Sequence, residues 1–223
     1  MRTGLRVLVP RGGAWGSRAA ALLEQRGAVP VIVPLIAYEP GEAMPPELAR
    51  GDVDWLVVTS ARTVEVLGPV AASTRIIAVG EATAAALRAA GLDVSFVPRD
   101  HAAAGVVDEW PGAATETRVL LPQSNLADPG LASALQGRGL AVRTVVAYRT
   151  VAVPVIEPVE AVDAILVTSG SVARQVAAQL APLPPGTRVA CIGERTAAEA
   201  RACGLAVHVV AAERSLESLV AAL

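Results

Sequence analysis

The sequence predicts an α/β protein of two similar domains, each a parallel sheet flanked by helices, and three observations carry that expectation. Short, continuously apolar runs alternate with Ala- and Leu-rich stretches along the whole chain, and runs of that kind suit strands covered on both faces. Motifs recur in the order A-B-A′-B′ at an offset near half the chain. Arg6-Val-Leu-Val-Pro10 returns as Arg118-Val-Leu-Leu-Pro122, Asp54-Trp-Leu-Val-Val-Thr-Ser60 as Asp163-Ala-Ile-Leu-Val-Thr-Ser169, and Ala78-Val-Gly-Glu-Ala-Thr83 as Cys191-Ile-Gly-Glu-Arg-Thr196. A single long offset means two related domains rather than a solenoid of short repeats. Finally, 53% of the residues are hydrophobic but only 3% aromatic, so the cores must be built from Ala, Val and Leu, the usual material of helices on a buried parallel sheet.

The apolar runs place strands at Leu5–Val9, Val29–Val33, Trp55–Val58, Arg75–Val79 and Val94–Val97, and again at Val119–Leu121, Val142–Val146, Ala164–Val167, Val189–Ile192 and Val207–Val210. Between them, Leu131 with Leu135, and Val172 with Val176 and Leu180, stand at the i, i+4 spacing that gives a helix one apolar stripe. Gly27, Gly91, Gly139 and Gly204 each follow a helical stretch and precede a strand, where a left-handed residue ends a helix without a Cβ clash. Strand-helix-strand alternation implies parallel sheets with right-handed crossovers. The Pro- and Glu-rich stretches from Glu39 to Asp52 and from Thr150 to Val162 read as connectors.

Composition narrows the function. No uninterrupted apolar run reaches the roughly 20 residues that span a bilayer, and the apolar stretch from Leu5 to Val9 is too short for a signal peptide. A net charge of −2 without a basic block argues against nucleic acid. Cys191 and Cys203 have no CxxC spacing and read as reduced thiols of a cytoplasmic protein. His101 is expected to be solvated and His208 packed, with no second ligand to make a metal site. Trp15, Trp55 and Trp110 read as packing residues. Gly12-Gly13 and Gly16 hint at a dinucleotide loop, but Arg11 stands where that motif needs its first Gly, and Val33-Pro34 stand where its acidic residue belongs.

Taken together, Val9-Pro-Arg11, Val57-Val-Thr-Ser60, Val79-Gly-Glu-Ala-Thr83, Ala147-Tyr-Arg-Thr150, Leu166-Val-Thr-Ser169 and Ile192-Gly-Glu-Arg-Thr196 resemble the uroporphyrinogen-III synthase family in order and spacing. The closing Ser215-Leu-Glu-Ser-Leu219 is similar to that family's last helix. The resemblance implies an inserted-domain topology: residues 1–36 with 154–223 form domain one, 40–148 form domain two, and 36–40 and 147–153 are two linker strands, with an open cleft between the domains. It also implies a reaction. The linear tetrapyrrole hydroxymethylbilane is closed to uroporphyrinogen III with inversion of the terminal pyrrole ring and loss of water, without a cofactor; the protein is expected to act as a monomer, with no nucleic acid or membrane as partner. Geometry decides the isomer, so catalysis is by positioning.

The substrate of that reaction carries eight carboxylates, which calls for anion sites more than for catalytic side chains. Free N–H groups at helix N-termini supply such sites. Ser60, Thr83, Ser169 and Thr196 stand at or just inside strand-to-helix turns, as caps and as candidate substrate contacts. Arg11, after the first strand, is a candidate carboxylate partner. The resemblance makes Tyr148 the candidate catalytic residue, a neutral phenol able to donate a proton to the departing hydroxyl. Its repeat partner Tyr38 carries no family role and reads as structural, and Arg149 as an exposed residue. Two departures from the family pattern stand out. Gln123, Ser124 and Asp128 occupy positions where an Arg-Gly pair and a further Arg are common, and Val9-Pro-Arg11-Gly12 replaces a more usual Thr-Arg-Pro. The first departure keeps open a rival reading, a non-catalytic ligand-binding or regulatory protein on the same scaffold.

Overall fold

The computed structural model describes residues 4–100, 103–112 and 117–223; His101 lies outside them. The chain divides into two compact units, residues 1–37 with 151–223, and residues 38–150. Elements are numbered along the chain across both units. In the first unit, β1 (Arg6–Arg11), the start of β2 (Val29–Pro40), β7 (Ala164–Val167), β8 (Arg188–Cys191) and β9 (Val209–Val210) form a parallel sheet in the order β2-β1-β7-β8-β9. Counted within the unit, that is the 2-1-3-4-5 order of a doubly wound fold. In the second unit, β3 (Trp55–Val58), β4 (Arg75–Ala78), β5 (Arg118–Ser124) and most of β6 (Ala141–Ala152) are ordered β6-β5-β3-β4, again all parallel. Here β5 and β6 take the places that β1 and β2 hold in the first unit, so the chain enters the same arrangement at its third position.

Alternation along the strands produces two cores per sheet, because successive side chains point to opposite faces. In the first unit Leu8, Ile165 and Val189 pack with α7 (Gly170–Leu180) and α8 (Glu194–Ala202). On the other face Val7, Val9 and Leu166 pack with α1 (Gly13–Glu24) and α9 (Leu216–Ala221). In the second unit Leu56, Val58 and Leu120 meet α2 (Glu47–Arg50) and α4 (Glu81–Ala89). The opposite face, with Val57, Ile77 and Leu121, meets α5 (Ala103–Asp108) and α6 (Gly130–Gly137). The short α3 (Ala61–Val64) follows β3. Every residue of β3 and of β7 is buried. Truncating a fully buried leucine such as Leu8 or Leu56 to alanine typically costs about 2–5 kcal/mol.

Four helices stop in one way. Gly27, Gly91, Gly139 and Gly204 all have φ between 76° and 88°, a region costly for residues with a Cβ. Each donates its N–H to the carbonyl three residues back, and the next residue donates to the carbonyl five back: Gly91 to Arg88 and Leu92 to Leu87, Gly204 to Arg201 and Leu205 to Ala200, with Gly27-Ala28 and Gly139-Leu140 alike. This is the Schellman arrangement with its apolar contact, and each of the four falls in a different core cluster.

The expected strand at Val94–Val97 is reduced to one bridge between Ile77 and Phe96. The cause is local: Ser95 Oγ accepts the Ile76 N–H at 3.2 Å, taking the place of a ladder carbonyl. His208 Nδ1 does the same for the Val189 N–H at 3.1 Å, which leaves β9 two residues long. His208 is exposed rather than packed, held by this bond and by its own N–H to Val189 O. The stretch from Glu39 to Asp52 is also more than a connector, since it holds the end of β2 and α2. Among the described residues no helix is long and apolar enough to cross a membrane.

An aspartate closes the start of each sheet. Asp163 Oδ2 accepts the Arg6 N–H at 2.8 Å, and Asp54 accepts from the Arg118 N–H, Nε and Nη2 at 2.8, 3.2 and 3.1 Å. The Arg118 side-chain and main-chain donors hold the Asp54 carboxyl below its usual range. A carboxylate whose pKa is lowered on folding stabilises above its unfolded pKa, and the effect is lost as pH falls through the folded value. Relative to Asp54→Ala, wild-type stability measured by chemical denaturation should therefore exceed the variant's by a constant amount above about pH 5 and converge below about pH 4. A gap that widens on acidification would reverse the assigned sign.

Candidate active site

In parallel α/β sheets the carboxyl ends of the strands and the first turns of the following helices share one edge, and ligands bind where the strand order reverses. In the first unit that point lies between β1 and β7, in the second between β5 and β3. Arg11 ends β1 and Ser169 follows β7; Ser60 follows β3, and Gln123 and Ser124 end β5.

In the first unit the Arg11 guanidinium lies 4.7 Å from the Trp15 ring centroid. Trp15 therefore does more than pack: its ring face orients a cation at the sheet edge. The turn between them is capped by Gly12, and no side chain covers the first N–H groups of α1. Ser169 caps α7, its Oγ accepting the Val172 N–H at 3.3 Å and lying 2.8 Å from Ser171 Oγ. The first turn of α7 already holds a carboxylate. Glu199 packs so closely on Gly170 that any Cβ there would overlap its Oε2, and it pairs with Arg174 at 3.4 Å and Arg195 at 3.6 Å. Thr196 is the third residue of α8, 7% exposed, behind the uncapped turn at Gly193.

The second unit repeats the plan with different contents. Ser60 caps α3, accepting the Arg62 N–H at 3.2 Å. Thr83 is the third residue of α4, 5% exposed, behind Gly80, which offers no side-chain cap. Burial leaves little of either threonine for a ligand, whereas the turns at Gly80 and Gly193 keep their N–H groups uncovered by any capping side chain. Tyr148 is half-buried near the end of β6, its ring edge-on to Tyr38 at 5.9 Å and 74°. Its hydroxyl makes no hydrogen bond among the described residues. The Arg62 guanidinium stacks 4.3 Å over Tyr38 and bonds Glu65 at 2.7 Å. Arg149 is exposed.

Four features escaped the sequence reading. The Arg62 stack and the Tyr38–Tyr148 pair were signalled only by the two tyrosines ending equivalent strands of the repeat. Asn125 bonds the backbone of β6 at Tyr148 and at Thr150, and no sequence pattern marks it. Glu199 at Gly170 has Ala86 as its repeat partner, so this feature belongs to one half alone.

Other candidates fall away on geometry. Cys191 is fully buried, and burial pushes its thiol up to about 11, the wrong direction for a nucleophile; both cysteines are free. Trp55 and Trp110 pack together in the core at 5.5 Å. Among the described residues no three His, Cys, Asp or Glu side chains gather as a metal site.

These features define a duplicated α/β protein whose polar turns collect at the carboxyl edge of each parallel sheet. A family profile described as uroporphyrinogen-III synthase HemD matches residues 17–221, and the chain belongs to the uroporphyrinogen-III synthase family. It is 28% identical over 161 residues to a uroporphyrinogen-III synthase of Synechococcus elongatus, a stretch covering 66% of this chain and 61% of that protein. The fold is similar to a mutant uroporphyrinogen III synthase from the extremely thermophilic bacterium Thermus thermophilus, with a TM-score of 0.66 and 21% identity over 98% of this chain and 96% of that one. It is equally similar to uroporphyrinogen-III synthetase from Helicobacter pylori, with a TM-score of 0.67 and 18% identity over 98% and 97%.

The position of Tyr148 depends on one close approach. Gly41 donates to Ala147 O at 3.1 Å and Glu42 to Val146 O at 2.7 Å. A Cβ on Gly41 would overlap the Val146 carbonyl, and it would stand 2.6 Å from the Ala147 carbonyl carbon. Backbone cannot rotate away as a side chain can, so Gly41→Ala should cost about 1–3 kcal/mol. That corresponds to a fall in thermal midpoint of several degrees for a chain of this size. An unchanged midpoint would mean that β6 is not held there.

Proposed function

We propose that this chain cyclises hydroxymethylbilane to uroporphyrinogen III with inversion of the terminal pyrrole ring, acting as a cytoplasmic monomer without a cofactor. The observation that carries the reading is the family match across residues 17–221, joined to a phenol, Tyr148, with no internal hydrogen-bond partner among the described residues. In this reading the substrate's carboxylates are taken by Arg11 and by the turns at Gly12, Gly80 and Gly193, with Thr83 and Thr196 supporting the latter two and Ser169 beside them. The helix α3 spans only four residues, so Ser60 contributes its hydroxyl rather than a helix terminus.

The chemistry asks little of the protein beyond geometry and one proton. Tyr148 donates its phenolic proton as the terminal hydroxyl leaves as water. The substituted carbon of the last ring is attacked to give a spiro intermediate, which reopens and recloses on the other side. The final closure releases the pyrrole proton, which restores the phenol, and the net change is loss of one water. Supplied with freshly made hydroxymethylbilane, the protein should yield mainly the type III isomer by chromatography of the oxidised porphyrins. A mixture identical to the protein-free control, which closes to type I, would end the synthase reading. General acid catalysis contributes about 10²–10⁴-fold when proton transfer limits. The bilane loses its hydroxyl readily, so Tyr148→Phe should lower turnover by no more than about 10²-fold, with Tyr38→Phe near wild type. Equal turnover in the two variants would move the proton source to water or to the substrate's own carboxylates.

The reading also divides the chain into two folding domains, 1–36 with 154–223 and 40–148, joined by linker strands at 36–40 and 147–153. Its support is that each compact unit carries two core clusters of its own. A fragment of about 40–148 should melt cooperatively. A 1–110 fragment lacks β5 and β7, which flank β3 and β1 on one side, and should be disordered. A cooperative transition for 1–110 and none for 40–148 would overturn this division.

A further inference from the structure

The end of β5 holds a small hydrogen-bonded device that the proposed reaction has not yet used. The parallel register of β5 and β6 runs evenly from Arg118 to Gln123 and then slips, so that Ser124 faces Tyr148. Beyond the slip β5 leaves the sheet and Asn125 continues the ladder. Its N–H donates to Tyr148 O at 3.2 Å. Its Oδ1 accepts the Thr150 N–H at 2.8 Å, and its Nδ2 lies 3.5 Å from Thr150 O. Ser124 Oγ fixes the amide in turn, standing 3.2 Å from Asn125 Oδ1 while accepting the Leu126 N–H at 3.1 Å.

Asn125 thus grips β6 at Tyr148 itself, through main chain, and two residues further on at Thr150, through side chain. The hydroxyl of Tyr148 has no partner among the described residues to aim it. Its direction is therefore set by the backbone beneath it and by the edge contact with Tyr38. A side-chain amide that mimics a peptide group can hold a strand end where the backbone no longer can.

We propose that Asn125 is a positioning residue for Tyr148: its peptide and its amide hold β6 at residues 148 and 150 and so set where the phenol points. The inference rests on the synthase reading, because it assigns Asn125 a role in the step that uses the phenol. It predicts a dependence chiefly on the Oδ1 acceptor, whose 2.8 Å bond to the Thr150 N–H is the shorter of the two side-chain contacts. Asn125→Asp keeps that acceptor for the Thr150 N–H, whereas Asn125→Leu matches the shape and removes it.

The experiment compares wild type, Asn125→Asp, Asn125→Leu, Tyr148→Phe and the Asn125→Leu/Tyr148→Phe double variant with hydroxymethylbilane as substrate. Asn125→Leu should lose turnover by a factor close to that of Tyr148→Phe, with KM within about twofold of wild type, and Asn125→Asp should recover most of the loss. The double variant should be no slower than the slower single one, since residues acting through one group are not additive. Turnover unchanged in Asn125→Leu, or losses that multiply fully in the double variant, would overturn the proposal. A wild-type protein that forms no type III isomer would remove the synthase reading and this role with it.

A readout independent of activity separates the two failures. The protein has two tyrosines, so a ring-labelled tyrosine spectrum contains two residues' signals, assigned through Tyr38→Phe. Asn125→Leu should shift the Tyr148 ring resonances, and Asn125→Asp should leave them in place. Unmoved Tyr148 resonances in Asn125→Leu would show that the amide does not set the ring, whatever the activity.

Discussion

Burial of the central strands on both faces is the constraint from which the rest of the structure follows. Trp55–Val58 and Ala164–Val167 are buried along their whole length, so each sheet needs helices above and below it. A chain that covers both faces of a sheet with consecutive helices returns its strands parallel. Parallel strands in turn send every carboxyl end, and the first turn of every following helix, to one edge. The uncovered N–H groups at Gly12, Gly80 and Gly193 are thus a by-product of how the cores are buried. In the proposed reading these N–H groups serve the substrate's carboxylates without any side chain being committed to them.

The duplication shows how far that constraint reaches. Both halves end their helices with the same left-handed glycine and close their sheets with an aspartate at equivalent positions, Asp54 and Asp163. Both also shorten an outer strand with a side-chain acceptor, Ser95 in one half and His208 in the other. None of these devices depends on where the chain enters the arrangement, which is why β5 and β6 can replace β1 and β2. The edges are freer to differ. One carries Glu199 against Gly170 with two arginines, and the other carries two tyrosines and a stacked Arg62. Packing is shared, and chemistry has diverged at the rim.

Legibility in the sequence followed the same line. Apolar runs and helix-ending glycines were readable because burial and φ restrict them residue by residue, and Ser60 and Ser169 were readable as caps because a cap acts within three residues. The Val94–Val97 run misled because its length says nothing of whether Ser95 will take the hydrogen bond that a strand would have offered. His208 misled in the same way. Asn125, Arg62 and Glu199 act across long intervals of sequence, on Thr150, Tyr38 and Gly170. Nothing in the local sequence of each marks the partner, which only the approach of distant segments supplies. The threonines were readable as first-turn residues but not as buried ones, since depth at the third helical position depends on how each helix sits on its sheet.

These distinctions bear on the departures at Gln123, Ser124 and Asp128. If side-chain cations made the whole anion site, their loss at the end of β5 would leave that edge without function. An edge whose donors are mainly peptide N–H groups is less exposed to such changes, because its geometry is fixed by Leu56, Leu120 and Ile77 in the cores behind it. Under the proposed reaction, side chains are then needed only where direction matters, as for the Tyr148 phenol. At that point the structure commits its local hydrogen bonds to the strand beneath the ring and leaves the hydroxyl itself uncommitted. In the proposed reaction, which position governs, a donor uncommitted to the protein on a fixed strand is what is required, and Ser124 is part of what fixes that strand through Asn125.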